Sequence, residues 1–371
     1  MRRILLDGRA LQPDMDGIGR FVTSVSGRLS ALRPDWDLTL LVSPGSTRHL
    51  AAGSNLRIIE SPVARFRPGE KRGLTPVAEG VGPDACLNFS LTGPVWDGCD
   101  GPLCPTSFVV HDTMVLEMKG YFGAGRIRDA LKRAVYRRLF RVSVAGSAAV
   151  AVPTRRVMDD LCRLHPEAEE KITVVYEGQD LFDPGAPGGA REGGFLLYVG
   201  NARLYKNLPR LVAAYGMAAG SPGVPDLVMV VRRDRAFPAF ERMLRNSGAR
   251  DRIRVLSAVS DDELAGLYRS CTAFVSPSVW EGFGLPVLEA MAAGCPVIAS
   301  RGTALEEVAG DGALLVDPAD PDSIAGAITE VCGNPGMRAE LSARASSRAA
   351  LFGWDSTAGR IAEMIEGTMK P

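Results

Sequence analysis

Glu281 and Glu289 stand with seven residues between them, on either side of a turn that carries Gly282 and Gly284. The turn follows the short apolar run Ala273–Ser276, and Pro286 suits the opening turn of a helix. Residues 276–300 thus form a strand end, a turn, a helix and a further strand. Glycines let a backbone approach a ligand closely. A helix start offers free N–H groups and the positive end of its dipole. Two acids bracketing such a turn can grip hydroxyl groups at both ends of a ligand with an anionic middle. The plainer alternative has Glu281 capping the helix and Glu289 paired with an arginine.

Three other places carry chemistry. Lys206 follows the apolar run 195–199, and Asn207 after it can cap the next helix. A lysine beside a helix start neutralises a diphosphate well, whereas an isolated one is an ordinary surface lysine. Gly17-Ile18-Gly19-Arg20 opens a helix and can close on phosphates, or serve only as a tight turn. His111 ends the apolar run 108–110, where a lone histidine is either structural or at a site. There are three histidines in all, His49, His111 and His165, and no two are close enough for a local zinc motif. The seven cysteines include no Cys-x-x-Cys pair, so buried free thiols are expected rather than a disulfide scaffold.

The elements that must position these residues alternate. Residues 4–6 and 38–42 read as strands, with Ile18, Phe21, Val22, Val25, Leu29 and Leu32 on one helical face between them. Residues 126–142 read as a helix with Ile127, Leu131, Val135 and Leu139 in one apolar stripe. Residues 58–105 are rich in Gly and Pro, and the pattern places no elements there. Residues 183–194 have linker composition. Beyond them strands are expected at 195–199, Leu227–Val231, Ile253–Leu256, Ala273–Ser276, Val297–Ser300 and Ala313–Val316, with helices between. One helix starts at Ser260, where Ser260 and Glu263 form a capping box. Such alternation means parallel sheets covered on both faces. The expected class is α/β, with two doubly wound, Rossmann-like domains facing a cleft. Their expected bounds are 1–184 and 195–350, with a C-terminal helix at 351–371 packing back on the first domain.

The order of these landmarks resembles retaining glycosyltransferase family 4, of the GT-B fold. Residues 276–300 resemble its Glu-x7-Glu signature, and Asp7-Gly8-Arg9 with Gly17-Ile18-Gly19-Arg20 resembles its N-terminal glycine loop. His111-Asp112 resembles its central His motif, residues 174–180 the approach to its linker, and residues 198–207 its phosphate-binding Lys motif. Residues 260–278 and Asp317-Pro318 fall in the family's order as well. The wording around Lys206 is closest to bacterial polysaccharide and O-antigen mannosyltransferases.

The resemblance implies transfer of a sugar from a nucleotide diphosphate to an acceptor hydroxyl, with retention at the anomeric carbon. His111, Lys206 and Glu281 would be catalytic. The donor would be held by Gly17, Gly19, Arg20, Arg203, Lys206, Glu281, Gly282, Phe283, Gly284, Leu285 and Glu289. Of these, Glu289 would hold the ribose, and the base would rest against the turn at 257–259. GDP-mannose is the first donor expected. The acceptor would be a glycan, a glycolipid or a small molecule. No cofactor and no metal are expected, since phosphate, lysine and backbone dipoles can carry the charge; the triplets at Asp14–Asp16 and Asp35–Asp37 lie in turn-like places. Two departures bear on the donor: Val230-Val231-Arg232-Arg233-Asp234 lacks the usual strand-end glycine, and Ala258 stands where the family often has Gly. The alternatives are a nucleotide-sugar epimerase on the same fold, or a nucleotide-sugar-binding protein without turnover.

Charge narrows the partners. Forty-three Lys and Arg balance 43 Asp and Glu, which excludes a generally basic nucleic-acid coat. The balance conceals two basic clusters. One holds Arg65, Arg67, Lys71 and Arg72; the other is the helix at 126–141, with Arg126, Arg128, Lys132, Arg133, Arg137, Arg138 and Arg141 against Asp129. That helix presents either a solvated face or a peripheral membrane contact. No apolar run approaches the roughly 20 residues of a membrane span, and Asp7 interrupts any signal-peptide core. The expected location is cytoplasmic, with the inner membrane face open as a docking place.

Overall fold

The computed structural model describes residues 1–12, 16–50, 53–65, 69–90, 97–98, 101–123, 125–182 and 194–369. Asp14, Arg67, Cys99 and the linker stretch 183–193 lie outside the described residues, as does the side chain of Lys71. The chain divides into two compact units, Met1–Glu177 with Trp354–Pro371, and Gly178–Gly353.

Unit 1 contains nine strands and six helices among its described residues. In chain order they are β1 (Arg2–Asp7), α1 (Gly17–Leu32), β2 (Trp36–Val42), β3 (Leu56–Glu60), α2 (Glu70–Val81), β4 (Ala85–Asn88), β5 (Asp97–Gly98), β6 (Gly101–Pro102), β7 (Thr106–Val109), α3 (Met114–Glu117), α4 (Gly125–Gly146), β8 (Ala149–Val152), α5 (Arg155–Leu164) and β9 (Ile172–Val174). β5 and β6 form a separate antiparallel pair; the other strands make one parallel sheet, ordered β3-β2-β1-β4-β7-β8-β9. Strands covered on both faces have continuous apolar runs, and Ile4, Leu5 and Leu6 are fully buried. The sixth helix comes from the far end of the chain. Phe21 of α1 packs edge-on against Trp354, 5.7 Å between ring centres. The Thr357 hydroxyl donates to the Tyr176 carbonyl at 2.6 Å.

Among the described residues, the stretch 58–105 holds α2, β4, β5 and β6, and its poor legibility has a cause. α2 contains Pro76 and two glycines, Gly73 and Gly80, so its helical period is broken in the sequence. The α4 stripe Ile127, Leu131, Val135 and Leu139 faces outward, and Asp129, Phe140, Ser143 and Val144 are the buried positions.

Unit 2 contains β10 (Leu196–Gly200), α6 (Leu208–Ala218), β11 (Leu227–Val231), α7 (Phe237–Arg245), β12 (Ile253–Leu256), α8 (Asp261–Ser270), β13 (Ala273–Ser276), α9 (Leu285–Ala292), β14 (Val297–Ser300), α10 (Ala304–Ala309), β15 (Ala313–Val316), α11 (Pro321–Gly333) and α12 (Pro335–Ala349). The helix of unit 1 that follows is α13 (Trp354–Thr368). The unit 2 sheet is wholly parallel, ordered β12-β11-β10-β13-β14-β15. Its core joins Leu196, Met229, Val275 and Ile298 of four strands to Leu211 and Tyr215 of α6 and Ile324 of α11. The capping box at Ser260 and Glu263 is present. Asn207 departs from expectation. It occupies the N-cap position of α6 in a left-handed conformation, φ 60°, but its side chain makes no capping bond.

Candidate functional site

In a doubly wound sheet, ligands bind beyond the carboxyl ends of the strands where the strand order reverses. In unit 2 that point lies between β10 and β13. The segment after β10 leads to Lys206 in a short 3-10 turn, and the segment after β13 leads to Glu281. The fold brings them together: the Lys206 ammonium donates to Glu281 Oε1 at 2.6 Å. Both side chains are about nine-tenths buried, 10% and 11% exposed. Burial lowers the pKa of Lys206, but the charge of Glu281, then Tyr205 and the hydrogen bond to Glu281, outweigh it and hold the pKa above the ordinary value.

The two segments are sewn together by neutral contacts. The Val279 amide donates to the Tyr205 carbonyl at 2.8 Å. The Asn207 carboxamide donates to the carbonyls of Pro277 and Pro318, at 2.9 and 2.7 Å. Asn207 therefore ties the segments after β13 and β15 to the start of α6, which is its role in place of a side-chain cap.

The glycine turn leads directly into α9. Gly284 has φ 102°, and a Cβ there would meet Leu305 Cδ2 at 2.2 Å. Phe283 is buried against Phe352, with ring centres 5.8 Å apart. Pro286 lies in the first turn of α9, as its sequence position predicts. Glu281 pairs with Lys206 and does not cap α9, and Glu289 accepts a hydrogen bond from the Tyr268 hydroxyl at 2.9 Å. Glu289 is buried, as is Tyr268 of α8.

At the neighbouring strand ends, Arg203 lies 3.4 Å from Asp234, beyond β11. The turn at 257–259 lines an open groove of about 510 Å³ with Glu263 and Leu267 of α8. Ala258 is left-handed here, φ 58°, so the backbone keeps the geometry that favours glycine. The Ser257 hydroxyl fastens the turn to the Val231 carbonyl at 2.8 Å.

Unit 1 has its own switch point between β1 and β4. Arg9, fully buried, forms two bonds to the Asp7 carboxylate at 2.8 and 2.7 Å and a third to Glu70 at 2.8 Å. Asp16 caps α1 by accepting from the Gly19 amide at 2.8 Å, which gives that acid a structural role, and Gly17 and Arg20 lie in the same first turn. His111 follows β7. Its Nε2 is 3.0 Å from the Phe89 carbonyl, its Nδ1 is 3.5 Å from Glu177, and Phe21 meets the ring edge-on. Burial opposes its charged form, but Glu177, the Phe89 carbonyl and Asp112 together raise its pKa. Among the described residues no group of three or more His, Cys, Asp or Glu is placed to hold a metal.

Residues 186–348 match the family model described as Glycosyl transferases group 1. The chain carries a group 1 glycosyltransferase domain. It is 34% identical over 164 residues to O-antigen chain mannosyltransferase B of Escherichia coli, covering 44% of this chain and 43% of that protein. The chain spans about half the length of the curated relatives it matches. Its fold matches sucrose-phosphate synthase from Thermosynechococcus elongatus with a TM-score of 0.78 and 18% identity, covering 99% of each chain. It also matches Anabaena Alr3699/HepE in complex with UDP-glucose, with a TM-score of 0.72 and 15% identity over 99% of this chain and 100% of that one. The architecture is that of GT-B glycosyltransferases, two Rossmann-like α/β domains.

Within the group 1 domain, the fold gathers Lys206, Glu281 and the Gly282–Gly284 turn at one switch point, with Leu285 and Glu289 on the helix that follows. Arg203 lies on the same strand-end segment but faces Asp234. His111 and the turn holding Gly17, Gly19 and Arg20 belong to unit 1. Sequence reasoning missed Tyr268 and Glu177. Tyr268 is seven residues after Asp261 on α8, preceded by Leu264, Ala265, Gly266 and Leu267, and nothing local marks its hydroxyl as a partner of a carboxylate 21 residues on. Glu177 sits in the segment at 174–180, but only the fold brings it to His111.

Proposed function

We propose that this chain is a retaining glycosyltransferase that moves a hexose from a nucleotide diphosphate to an acceptor hydroxyl without a metal ion. The observation that carries this reading is the buried Lys206–Glu281 pair at the switch point of the group 1 domain. As the bond between the anomeric carbon and the diphosphate oxygen breaks, negative charge grows on the leaving group. Lys206 would exchange its bond to Glu281 for that oxygen, with Arg203, Arg20 and the start of α9 adding positive potential. Glu281 and the backbone of Gly282, Phe283 and Gly284 would then hold the sugar hydroxyls, while Leu285 closes the turn. Glu289, oriented by Tyr268, would hold the ribose. His111 would stand beside the transferred sugar. The acceptor oxygen bonds to the anomeric carbon on the face the diphosphate leaves, and its proton passes to that diphosphate. This route needs no imidazole base, which suits a chain with three histidines.

The mannosyltransferase name of the Escherichia coli relative supports mannose as the sugar, and GDP-mannose is the first donor to test. The acceptor is assigned only as a hydroxyl of a glycan, glycolipid or small molecule, reached in the cytoplasm. The test is incubation with a panel of GDP- and UDP-sugars, with and without chelator, following nucleoside diphosphate release. Release from GDP-mannose that survives chelation is the expected result. The anomeric configuration of a transferred sugar, read by NMR, should match the donor's. Formation of an epimer, or tight binding without turnover in any acceptor mixture, would overturn the reading.

A further inference from the structure

We propose that the outward face of α4 docks on an anionic lipid surface. The helix is 22 residues long and is fastened to unit 1 by one side only. Asp129, its single acid, accepts the amides of Gly120 and Phe122 at 3.0 and 3.1 Å and pairs with Arg133 at 2.6 Å. Arg137 donates to the Leu116 carbonyl at 3.1 Å, and Phe140 and Val144 enter the core. The negative charge of the helix is therefore spent inward.

The other side is apolar and basic at once. Ile127, Leu131, Val135, Leu139 and Val142 are between 40% and 77% exposed. Of the eleven large apolar side chains exposed among the described residues, these five share one helix, so the patch is a feature of α4 and not of the surface at large. Steps of four residues keep successive side chains on one face, so the stripe runs roughly 22 Å along the helix. Arg126, Arg128, Lys132, Arg138 and Arg141 are exposed around it. An exposed contiguous apolar patch marks a contact surface.

Charge selects the occupant. A second copy of α4 laid on this stripe would bring two rows of arginines together, which like-charge repulsion opposes. An anionic headgroup layer compensates the same cations, while the acyl boundary beneath takes the apolar side chains. The helix lies on such a surface and does not cross it: among the described residues no helix is long and apolar enough to span a membrane.

The test is flotation of the full chain with vesicles of phosphatidylcholine alone, or with a third of the lipid replaced by phosphatidylglycerol. The chain should float with the second and stay behind with the first, and added salt should weaken the binding. The double substitutions Leu131→Glu with Val135→Glu, and Arg128→Glu with Arg138→Glu, should each reduce flotation about tenfold or more. The milder pair Leu131→Ser with Val135→Ser should reduce it as well, with an unchanged thermal melting profile. No flotation of the wild type with phosphatidylglycerol vesicles would overturn the proposal. So would full flotation of both apolar variants, or self-association in sedimentation equilibrium that those variants abolish. No sugar donor is present, so failure here leaves the transferase reading to its own test.

Discussion

The ammonium of Lys206 and the carboxylate of Glu281, 75 residues apart in the chain, meet at 2.6 Å where the order of the unit 2 strands reverses. The bond joins two largely buried charges, so each compensates the other. Lys206→Met keeps most of the stem and removes the charge. Donor turnover should fall about a hundredfold or more, as when an oxyanion-stabilising donor is lost. Folding stability should fall by about 3 kcal/mol, because Glu281 is left without its buried partner. Adding Glu281→Gln should restore much of the stability and none of the turnover. Urea denaturation and nucleoside diphosphate release read the two effects separately.

Tyr268→Phe removes only the hydroxyl that donates to Glu289. The expected cost is about 1–2 kcal/mol of stability. If Glu289 holds the ribose, affinity for the nucleoside diphosphate should also weaken several-fold. Calorimetric titration with nucleoside diphosphate checks this; unchanged affinity would remove Glu289 from the donor site.

Ala258 offers a test in the opposite direction. Its φ of 58° is costly for a residue with a Cβ. Ala258→Gly should raise stability by about 1 kcal/mol, seen as a higher urea midpoint with the same slope. Gly284→Ala should do the reverse, by about 1–3 kcal/mol. Its φ of 102° is unfavourable, and the new methyl would strike Leu305. Adding Leu305→Ala should relieve the collision and leave the backbone cost in place.

His111 gives unit 1 a pH dependence. Its folded pKa lies above the ordinary 6.5, because Glu177 and the Phe89 carbonyl outweigh burial. The stabilisation is therefore fully present below about 6.5 and fades as pH rises through the folded value. The melting temperature should drop more between about pH 6 and about pH 8 in the wild type than in His111→Gln or Glu177→Gln. Equal slopes in all three would show that the contact carries no proton linkage.

Much of this was legible in residue patterns, and the exceptions have physical causes. The regular strands of unit 2 announce themselves because each is a short apolar run ending in a turn, and Lys206 and Glu281 fall just beyond two of them. The partner of each was not legible, because pairing depends on strand order, and order is not written locally. The same holds for Asn207, whose carboxamide serves two carbonyls more than 60 residues away. For the α4 stripe the cause is different: apolar spacing reports that a face exists, and not what covers it.

The path of the chain through unit 1 has a consequence for synthesis. Unit 2 is continuous in sequence, whereas unit 1 takes its last helix, α13, from residues made after unit 2 is finished. Domains tend to fold as they leave the ribosome, N-terminal first. Until the α13 residues are made, unit 1 is incomplete, with Phe21 lacking Trp354 and the Tyr176 carbonyl lacking Thr357. Unit 2 thus has all of its residues before unit 1 does, and a chain cut back before Trp354 would hold every element of unit 2 and an unfinished unit 1.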